Sequence, residues 1–575
     1  MANLRTLPDA LAEAARADAG YTFMSGGAET VRSYAEIRHA SCRVARSLVE
    51  TGLHRGDLVA IVLSDAEAFL TTLFGASMAG LVPASLYAPA TTGDLARYLD
   101  LTGGILQASE AKAVITTASL VPAFEGVRAQ CPALALVLAY DALDAPAREP
   151  DARPALDDIA FVQYTSGSTS VPKGVALSHR NVSANVDAIN GPAGLMTTSA
   201  DLAVSWLPLN HDMGLVGMAL GPLYSARPGV LMPAPAFVKR PVEWLRALTR
   251  FRGTVSFAPN FAYDLCVRRV KDRDLDGLDL SSWRIAGCGA EPIHHATLAA
   301  FAEKFAPVGF RATSFLPSYG LAEHVLAATF PPRDRHLRTD QASLRSLTDG
   351  GVARPADDDR SVTIVSCGWA LPDHHVRIAG DHGRSLPARH VGEILLAGPS
   401  VMAGYYKEPE LTAQTIRAGW LHTGDLGYVS DGELFVCGRV KDLIIANGRK
   451  YHPQDLEWAI DDLAGVRRHR AVAFGVVEPG RADRVVIVAE SSGTASSDAV
   501  VEAIRKRVGD HFGLYVDDVA VVPGGTVGRT TSGKVQRAAV KAMYERGELA
   551  NVSAYAVSKS DSPSTMAERD VPHSR

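Results

Sequence analysis

The chain has 575 residues, of which 47% are hydrophobic and 21% are charged, and its formal net charge is −5. A chain of this length is too long for one ordinary hydrophobic core, so two or more domains are expected. The negative net charge and the lack of a basic stripe interleaved with aromatic residues argue against nucleic acid as the principal partner.

Residues 1–20 carry the acidic residues Asp9, Glu13 and Asp18 among their apolar positions. This pattern predicts an amphipathic helix and differs from that of a secretion signal. The six cysteines are far apart and include no C-x-x-C pair. Their spacing favours buried thiols in a reducing cytoplasm over disulfides, a zinc site or a reactive thiolate.

Residues 68–93 form a long stretch without charge, interrupted by Gly75, Gly80, Pro83 and Pro89. These breaks predict a buried helix, a turn and then a strand. A membrane span is the alternative interpretation of the same stretch.

Segments rich in Val, Ile and Leu alternate with helical patterns over most of the chain. The predicted strands and helices include strands at 58–63, 111–116, 159–164, 255–258 and 284–288, with helices at 34–51 and 241–250. This alternation predicts an α/β fold with mixed, largely parallel sheets covered by helices.

Short segments separated by Gly- and Asp-rich turns follow between residues 362 and 436, and they predict a small antiparallel sheet or β-barrel-like subdomain. Residues 141–158 and 331–360 have weak periodicity and are predicted to be loops. Residues 553–575 are rich in Ser, Asp and Pro, which predicts a disordered tail.

The predicted strand at 159–164 runs directly into T-S-G-S-T-S-V-P-K-G-V at 165–175, which contains five hydroxyls, two glycines and Lys173. Glycine lets backbone N–H groups point at an anion, hydroxyls donate to phosphate oxygens, and lysine adds positive charge. The alternative interpretation of these residues is a Ser- and Gly-rich surface turn, which a shorter pattern would favour. The G-x-x-x-x-G-K-[ST] loop of P-loop enzymes is absent from the sequence, as is the protein-kinase motif set.

This loop resembles the signature of the adenylate-forming superfamily, which contains acyl-CoA synthetases, luciferases, peptide-synthetase adenylation domains and fatty acyl-AMP ligases. The resemblance covers about residues 34–541 and implies a loop that binds the phosphates of ATP. Its implied phosphate-binding residues are Thr165, Ser166, Gly167, Ser168, Thr169 and Lys173, with Lys173 also catalytic.

Further motifs follow in the order of that superfamily. G-C-G-A-E-P at 287–292 resembles the loop that lines the adenine site. S-Y-G-L-A-E at 318–323 resembles Y-G-x-x-E, whose glutamate, here Glu323, is implied to be catalytic and to bind Mg²⁺ together with the Thr169 loop. W-L-H-T-G-D at 420–425 resembles the motif whose aspartate accepts hydrogen bonds from both ribose hydroxyls. G-R-V-K-D at 438–442 resembles the motif whose arginine approaches the ribose or the phosphate. The implied ATP- and AMP-binding residues are Gly289, Ala290, Glu291, Pro292, Ser318, Tyr319, Gly320, Asp425 and Arg439.

The resemblance also implies a division of the chain. It gives an N-terminal adenylation domain at 1–438, a hinge at 439–441 centred on Lys441, and a small mobile α+β C-terminal domain at 442–552. G-R-T-T-S-G-K-V-Q-R at 528–537 resembles the closing loop of that domain, with Lys534 as the catalytic lysine.

Three features resemble the fatty acyl-AMP ligase branch. S-W-L-P-L-N-H-D-M-G-L at 205–215 resembles W-L-P-x-x-H-D-M-G-L, although Asn210 replaces a more usual aromatic residue. N-G-R-K-Y-H-P-Q-D-L-E at 447–457 resembles that branch with Tyr and His exchanged, and residues 331–360 stand where it carries an extra segment. The acyl-pocket residues implied are His211, Asp212, Met213 and Gly214. The alternative interpretation of His211 and Asp212 is a catalytic dyad or a pair of metal ligands.

The resemblance implies an enzyme that uses ATP and Mg²⁺ to convert a fatty carboxylic acid into an acyl-adenylate. The acyl group would then pass to the phosphopantetheine thiol of an acyl carrier protein supplied in trans. An acyl-CoA synthetase is the nearest alternative. An amino-acid adenylation domain is less favoured, because the sequence lacks the pocket aspartate that such domains usually carry. A non-catalytic nucleotide-binding protein on the same fold is the alternative from a different functional class.

Overall fold

The computed structural model describes residues 4–89, 95–150, 153–165, 172–356, 360–380, 383–446, 448–476, 484–529, 535–549 and the backbone of 553 and 554. The chain divides into two compact units. The first is Met1–Lys441 together with Arg529–Lys534, and the second is Asp442–Gly528 together with Val535–Arg575.

The helices are α1 (Leu7–Ala14), α2 (Tyr34–Glu50), α3 (Ala66–Met78), α4 (Leu95–Ala108), α5 (Val121–Arg128), α6 (His179–Asn190), α7 (Gly221–Tyr224), α8 (Ala234–Lys239), α9 (Val242–Phe251), α10 (Asn260–Arg269), α11 (His295–Phe305), α12 (Leu344–Gly350), α13 (Pro409–Thr415), α14 (Pro453–Ala459), α15 (Ser497–Phe512) and α16 (Arg537–Glu545).

The strands are β1 (Gly20–Ser25), β2 (Ala28–Ser33), β3 (Leu58–Val62), β4 (Val82–Ser85), β5 (Ala113–Thr116), β6 (Leu136–Ala139), β7 (Ile159–Thr165), β8 (Lys173–Ser178), β9 (Ala203–Ser205), β10 (Gly229–Leu231), β11 (Val255–Ala258), β12 (Ile285–Cys288), β13 (Phe315–Pro317), β14 (Tyr319–Gly320), β15 (Ala327–Phe330), β16 (Thr339–Ser343), β17 (Ser361–Val365), β18 (Trp369–Ala370), β19 (His375–Ala379), β20 (Gly392–Ala397), β21 (Gly404–Tyr405), β22 (Ile416–Arg417), β23 (Trp420–Ser430), β24 (Glu433–Arg439), β25 (Ile444–Ala446), β26 (Arg449–Tyr451), β27 (Val466–Val476), β28 (Arg484–Ser491), β29 (Asp518–Val522) and β30 (Ser553–Ala554).

Two large sheets organise the first unit, with strand orders β13-β12-β11-β9-β10-β1-β2 and β21-β8-β7-β4-β3-β5-β6. Most neighbouring strands are parallel, while β2, β8 and β21 join antiparallel to their neighbours. Parallel strands need buried faces on both sides, which explains their continuous apolar sequences. The predicted α/β fold with largely parallel sheets is confirmed.

Helix starts in this unit follow local capping chemistry. Ser33 begins α2 with a reciprocal capping box to Glu36, and Asp65 accepts from the backbone N–H of Ala68 at the start of α3. The uncharged stretch that begins at Ala68 forms most of α3, a turn and then β4, as predicted, and its residues from Ala68 to Met78 are all buried. Among the described residues, no helix combines the length and hydropathy needed to cross a membrane.

The predicted N-terminal helix is shorter than expected, because α1 begins after the N-cap Thr6 and ends at Ala14.

Antiparallel strands form the predicted β-rich subdomain, in which β19, β20, β23 and β22 follow one another and β24 pairs with β23. The prediction that residues 331–360 form a loop is wrong. These residues contain β16, which pairs with β17, and α12. Their apolar side chains join a buried cluster with Tyr428 and Phe435 of the neighbouring hairpin.

This segment folds because distant residues complete it. The buried carboxylate of Glu433 accepts hydrogen bonds from Arg335 at 2.7 Å and from Arg338 at 3.0 Å. Arg389 and Tyr428 donate to Asp340 at 2.7 and 2.6 Å. The sequence of residues 331–360 shows only weak hydrophobic periodicity, because the residues that stabilise this segment lie elsewhere in the chain.

The second unit contains the β25–β26 hairpin and a sheet of order β27-β28-β29-β30. Strands β27 and β28 are antiparallel, and β28 and β29 are parallel. Helices α14, α15 and α16 also belong to this unit, so the α+β arrangement is as predicted. Ser553 and Ala554 stand at the start of the predicted disordered tail but form β30 on β29. The rest of that tail lies outside the described residues.

Candidate active site

The predicted phosphate loop joins the two strands of an antiparallel hairpin, in which Thr165 of β7 is paired with Lys173 of β8. A Cβ on Gly174 would lie 2.9 Å from Cγ1 of Val162, so the strand after Lys173 approaches β7 as closely as glycine allows. The remaining predicted residues of the loop lie outside the described residues: Ser166, Gly167, Ser168 and Thr169.

A hydrogen-bonded group joins three residues from separate motifs. The hydroxyl of Tyr319 donates to Oδ2 of Asp425 at 2.9 Å, and Nε of Arg439 lies 2.9 Å from Oδ1 of the same carboxylate. Asp425 and Arg439 are paired across β23 and β24. The fold therefore brings together three of the residues predicted to bind the adenosine part of ATP.

The protonation of this group suits a ligand that donates hydrogen bonds. Burial, followed by the Asp425 carboxylate, raises the pKa of Tyr319 well above its usual value, so the phenol remains a donor. A carboxylate has about four lone-pair directions, of which Tyr319 and Arg439 each use one. Asp425 can therefore accept two further hydrogen bonds, as a ribose diol would provide.

The predicted adenine loop follows β12, and Ser318 follows its parallel neighbour β13. The N–H of Ser318 donates to the carbonyl of Cys288 at 2.8 Å, and a Cβ on Gly289 would lie 2.7 Å from Oγ of Ser318. Ala290 has a φ of +68°, in the left-handed region that non-glycine residues seldom adopt. These residues meet at the carboxyl ends of parallel strands, where open α/β sheets bind ligands.

The side chain of Glu291 has a structural task. Its Oε1 accepts from the N–H of Phe261 at 2.6 Å in the first turn of α10, where backbone donors lack partners inside the helix. Pro292 is exposed beside it. Gly320 is required by close packing, since a Cβ there would lie 1.7 Å from the carbonyl oxygen of Leu326.

A strained turn directly follows Glu323. Val325 has φ +64° and ψ −62°, and the N–H of Leu326 donates to the carbonyl of His324 at 2.8 Å, which defines a γ-turn of the rare positive-φ type. Such backbone costs about 1–3 kcal/mol and persists where its surroundings enforce it. The carbonyl of Glu323 accepts from the N–H of Met402 at 2.9 Å, which is one such constraint.

Tyr405 was not predicted from the sequence, yet it contacts two predicted catalytic residues. Its hydroxyl donates to Oε1 of Glu323 at 2.8 Å, and Nζ of Lys173 lies 5.1 Å from its ring centroid. Tyr405 stands 82 residues from Glu323, and a Gly-Tyr-Tyr sequence before a turn carries little signal without the sheet pairing.

His211 and Asp212 lie next to an unusual helix. Nδ1 of His211 is 2.9 Å from Oδ1 of Asp212, which also accepts from the N–H of Met213 at 2.7 Å. Asp212 thereby caps a π-helix, Met213–Leu220, a conformation found often at functional sites. A Cβ on Gly214 would lie 2.2 Å from the carbonyl oxygen of Pro208, so this position requires glycine.

Lys534 lies outside the described residues, and Lys441 lies in a short 3₁₀ turn at the end of Met1–Lys441. All six cysteines are buried and form no disulfide with one another, as predicted, and burial raises the pKa of Cys367 to about 12. Such a thiol is a poor nucleophile at neutral pH.

Comparison with known proteins agrees with this arrangement. A family model described as "AMP-binding enzyme" matches residues 11–406, and another, "Disco-interacting protein 2-like, AMP domain", matches residues 441–554. A Caulobacter vibrioides protein whose name assigns it provisionally to the acyl-CoA synthetases is 38% identical, over 95% of this chain and 96% of its own length.

Two further proteins carry names that specify more chemistry. The medium-chain-fatty-acid–[acyl-carrier-protein] ligase JamA of Moorena producens is 33% identical, over 92% of this chain and 93% of its own length. A solved structure from studies of fatty acyl-adenylate ligases of E. coli and L. pneumophila has a TM-score of 0.90 and 36% identity, covering 95% of this chain and 99% of that chain. The chain thus belongs to the AMP-binding enzyme family of the adenylate-forming superfamily.

Proposed function

We propose that this enzyme activates a fatty carboxylic acid with ATP, forming an acyl-adenylate and releasing pyrophosphate. It then transfers the acyl group to the phosphopantetheine thiol of an acyl carrier protein. The observation that carries the proposal is the hydrogen-bonded group of Tyr319, Asp425 and Arg439, because it unites three motifs around a carboxylate suited to a ribose. The names of JamA and of the fatty acyl-adenylate ligase structure support the acyl substrate and the carrier protein.

The central chemical problem is the approach of one anion to another. A substrate carboxylate oxygen attacks the α-phosphorus of ATP, the bond from that phosphorus to the bridging oxygen breaks, and pyrophosphate leaves with the electron pair. Charge neutralisation and in-line positioning therefore supply most of the catalysis. Lys173 would provide positive charge at the exit of the phosphate loop, and Lys534 would approach the same phosphates from the C-terminal domain.

Glu323 is the residue proposed to hold Mg²⁺, together with the loop around Thr169. Carboxylate oxygens are the ligands that Mg²⁺ prefers, and Glu323 has lone pairs beyond the one that Tyr405 uses. When bound, the ion would neutralise charge on the phosphate oxygens. The strained turn after Glu323 would hold the carboxylate ready to bind it.

The adenosine part of ATP would lie between the loop at 289–292 and Tyr319, with its ribose hydroxyls donating to Asp425. We propose that the acyl chain follows the apolar residues of the π-helix Met213–Leu220, next to His211 and Asp212. The side chains of Met213, Leu215 and Val216 are buried and apolar there, which suits a hydrocarbon chain.

We also propose that Lys441 is the hinge between an adenylation domain and a C-terminal domain. The division into units at Lys441 and Asp442 supports this assignment. The extra segment at 331–360 would restrain the C-terminal domain from the position needed for CoA. An acyl-CoA synthetase is the second candidate, which the name of the Caulobacter vibrioides relative favours.

A screen of carboxylic acids for ATP–pyrophosphate exchange tests the first step, with medium- and long-chain fatty acids expected to respond. The acids that respond are then incubated with ATP and either CoA or carrier proteins bearing phosphopantetheine. Acyl transfer to a carrier protein and none to CoA is the expected result. Exchange followed by CoA thioester formation would favour the second candidate, and nucleotide binding without exchange would contradict both.

A further inference from the structure

Tyr405 is held by backbone pairing to one neighbouring strand. It lies on β21, the edge strand of the second large sheet, where Gly404 pairs with Ala176 and Tyr405 with Val175 of β8. The N–H of Tyr406 donates to the carbonyl of Gly174 at 2.7 Å. Strand β8 begins at Lys173, so the exit of the phosphate loop and Tyr405 share one piece of rigid sheet.

Further contacts fix the tyrosine against the next turn. Its own N–H donates to Oγ1 of Thr412 at 2.8 Å. A Cβ on Gly404 would lie 2.8 Å from Cγ2 of Thr412, and the φ of Gly404 is +151°, so the strand can approach this threonine only with glycine at that position. Tyr405 itself is buried, with 7% of its surface exposed.

The two ends of the tyrosine contact opposite charges. The hydroxyl donates to Glu323, while the ammonium of Lys173 lies over the ring face at a distance typical of a cation–π contact. The hydroxyl is the donor in this hydrogen bond, because an ionised carboxylate can only accept. Donation to a carboxylate also shifts electron density onto the ring, which strengthens its attraction for the ammonium.

We infer that Tyr405 is a positioning residue that sets the Glu323 carboxylate and the Lys173 ammonium relative to each other for binding of the metal–ATP complex. This inference rests on the proposed function for the roles of Glu323 and Lys173. Tyr405 acts through these two residues and is not assigned a contact with substrate. A tyrosine buried only for packing would leave the metal affinity unchanged when its hydroxyl is removed.

The test compares Tyr405→Phe, which keeps the ring under Lys173 but loses the hydrogen bond, with the wild-type enzyme. Mn²⁺ serves as the probe for Mg²⁺, and its binding in the presence of α,β-methylene-ATP is followed by electron paramagnetic resonance. Residues that orient metal ligands typically contribute 10–100-fold to metal affinity or activity, so we expect Mn²⁺ binding about tenfold weaker in Tyr405→Phe. AMP binding without metal should be unchanged, because Asp425 and Tyr319 are not altered.

Tyr406→Phe is the matched control, since it removes a hydroxyl from the adjacent tyrosine and should leave Mn²⁺ binding as in the wild type. A double-mutant cycle with Glu323→Gln then separates positioning from packing. If Tyr405 acts through Glu323, the effect of Tyr405→Phe on Mn²⁺ affinity disappears in the Glu323→Gln background. An effect of equal size in both backgrounds, or wild-type Mn²⁺ affinity in Tyr405→Phe, would overturn the inference.

The results that would contradict the proposed function differ from those that would contradict the role of Tyr405. A wild-type enzyme with neither ATP–pyrophosphate exchange nor nucleotide-dependent Mn²⁺ binding would contradict the function itself. A wild-type enzyme with both, together with a Tyr405→Phe variant that binds Mn²⁺ equally well, contradicts only the role of Tyr405. Circular dichroism and the thermal unfolding midpoint establish that each variant is folded.

Discussion

Asp425 and Arg439 face each other across β23 and β24, and Nε of Arg439 lies 2.9 Å from Oδ1 of Asp425. The hydroxyl of Tyr319 binds the other carboxylate oxygen. A buried carboxylate held on both oxygens has a fixed orientation, so its remaining lone pairs point in defined directions. This is the arrangement required to recognise a pair of neighbouring hydroxyls.

Asp425→Asn should raise the KM for ATP about tenfold or more, because a hydrogen bond to a charged group is worth about 1.5–3 kcal/mol. The measurement is ATP–pyrophosphate exchange as a function of ATP concentration at saturating fatty acid. Asp431→Asn is a control on the same hairpin, where the side chain is 76% exposed and pairs with Arg338. An unchanged KM for ATP in Asp425→Asn would remove Asp425 from the nucleotide site.

Lys534→Ala should lower the rate of adenylation about 100-fold or more, since a positioned charge at a developing anion commonly contributes that much. Single-turnover formation of acyl-adenylate measures this step directly. Lys541→Ala is the control, because Lys541 is 3.9 Å from Glu545 one helical turn later and has no proposed catalytic task. Normal adenylation in Lys534→Ala would contradict the role assigned to the closing loop.

Glu433→Gln should destabilise the folded protein by about 3 kcal/mol at pH 7, because it removes the buried anion that Arg335 and Arg338 share. Urea unfolding followed by tryptophan fluorescence measures this loss. Glu303→Gln, at an exposed position on α11, is the control and should change little.

The same substitution should change the response to acid. Burial alone would raise the pKa of Glu433, but Arg335, Ser366 and Arg338 outweigh it and lower the pKa below its usual value. The contribution is therefore complete above the unfolded pKa of about 4.3 and is lost as the pH falls through the lower folded pKa. Glu433→Gln should show a shallower loss of stability below about pH 4.5. An equally steep loss in the variant would contradict the shift.

Replacement of residues 344–353 by Asn-Gly should allow CoA to accept the acyl group while ATP–pyrophosphate exchange continues. The N–H of Ser343 donates to the carbonyl of Arg354 at 2.8 Å, so a two-residue turn can close the gap and keep β16 paired with β17. Acyl-CoA formation is measured by chromatography. Arg345→Ala, which alters an exposed residue of the same helix, should form no acyl-CoA. A folded excision variant that adenylates but still excludes CoA would leave the restraining role without support.

Much of this molecule could be predicted from local sequence. The apolar residues from Ile159 form β7, and Ser178 begins α6 with a capping box to Asn181, because both features depend on residues within a few positions of one another. The motifs of the candidate site could be named for the same reason, since each is a short continuous pattern. The alternation of apolar segments with helical patterns indicated the α/β architecture, and the order of the motifs along the chain indicated the superfamily.

Only the tertiary structure decided which of these motifs meet. Tyr319 binds Asp425 across 106 residues, and Tyr405 reaches Glu323 across 82. Residues 331–360 have weak periodicity in sequence yet form a strand and a helix. They do so because Glu433 pairs with an arginine of the segment and Phe435 packs into the hydrophobic cluster that its apolar side chains join. The sequence alone determined the local backbone and the chemical groups available. Long-range pairing determined their geometry, since a hydrogen bond or a buried charge acquires its energy from a partner that no local pattern identifies.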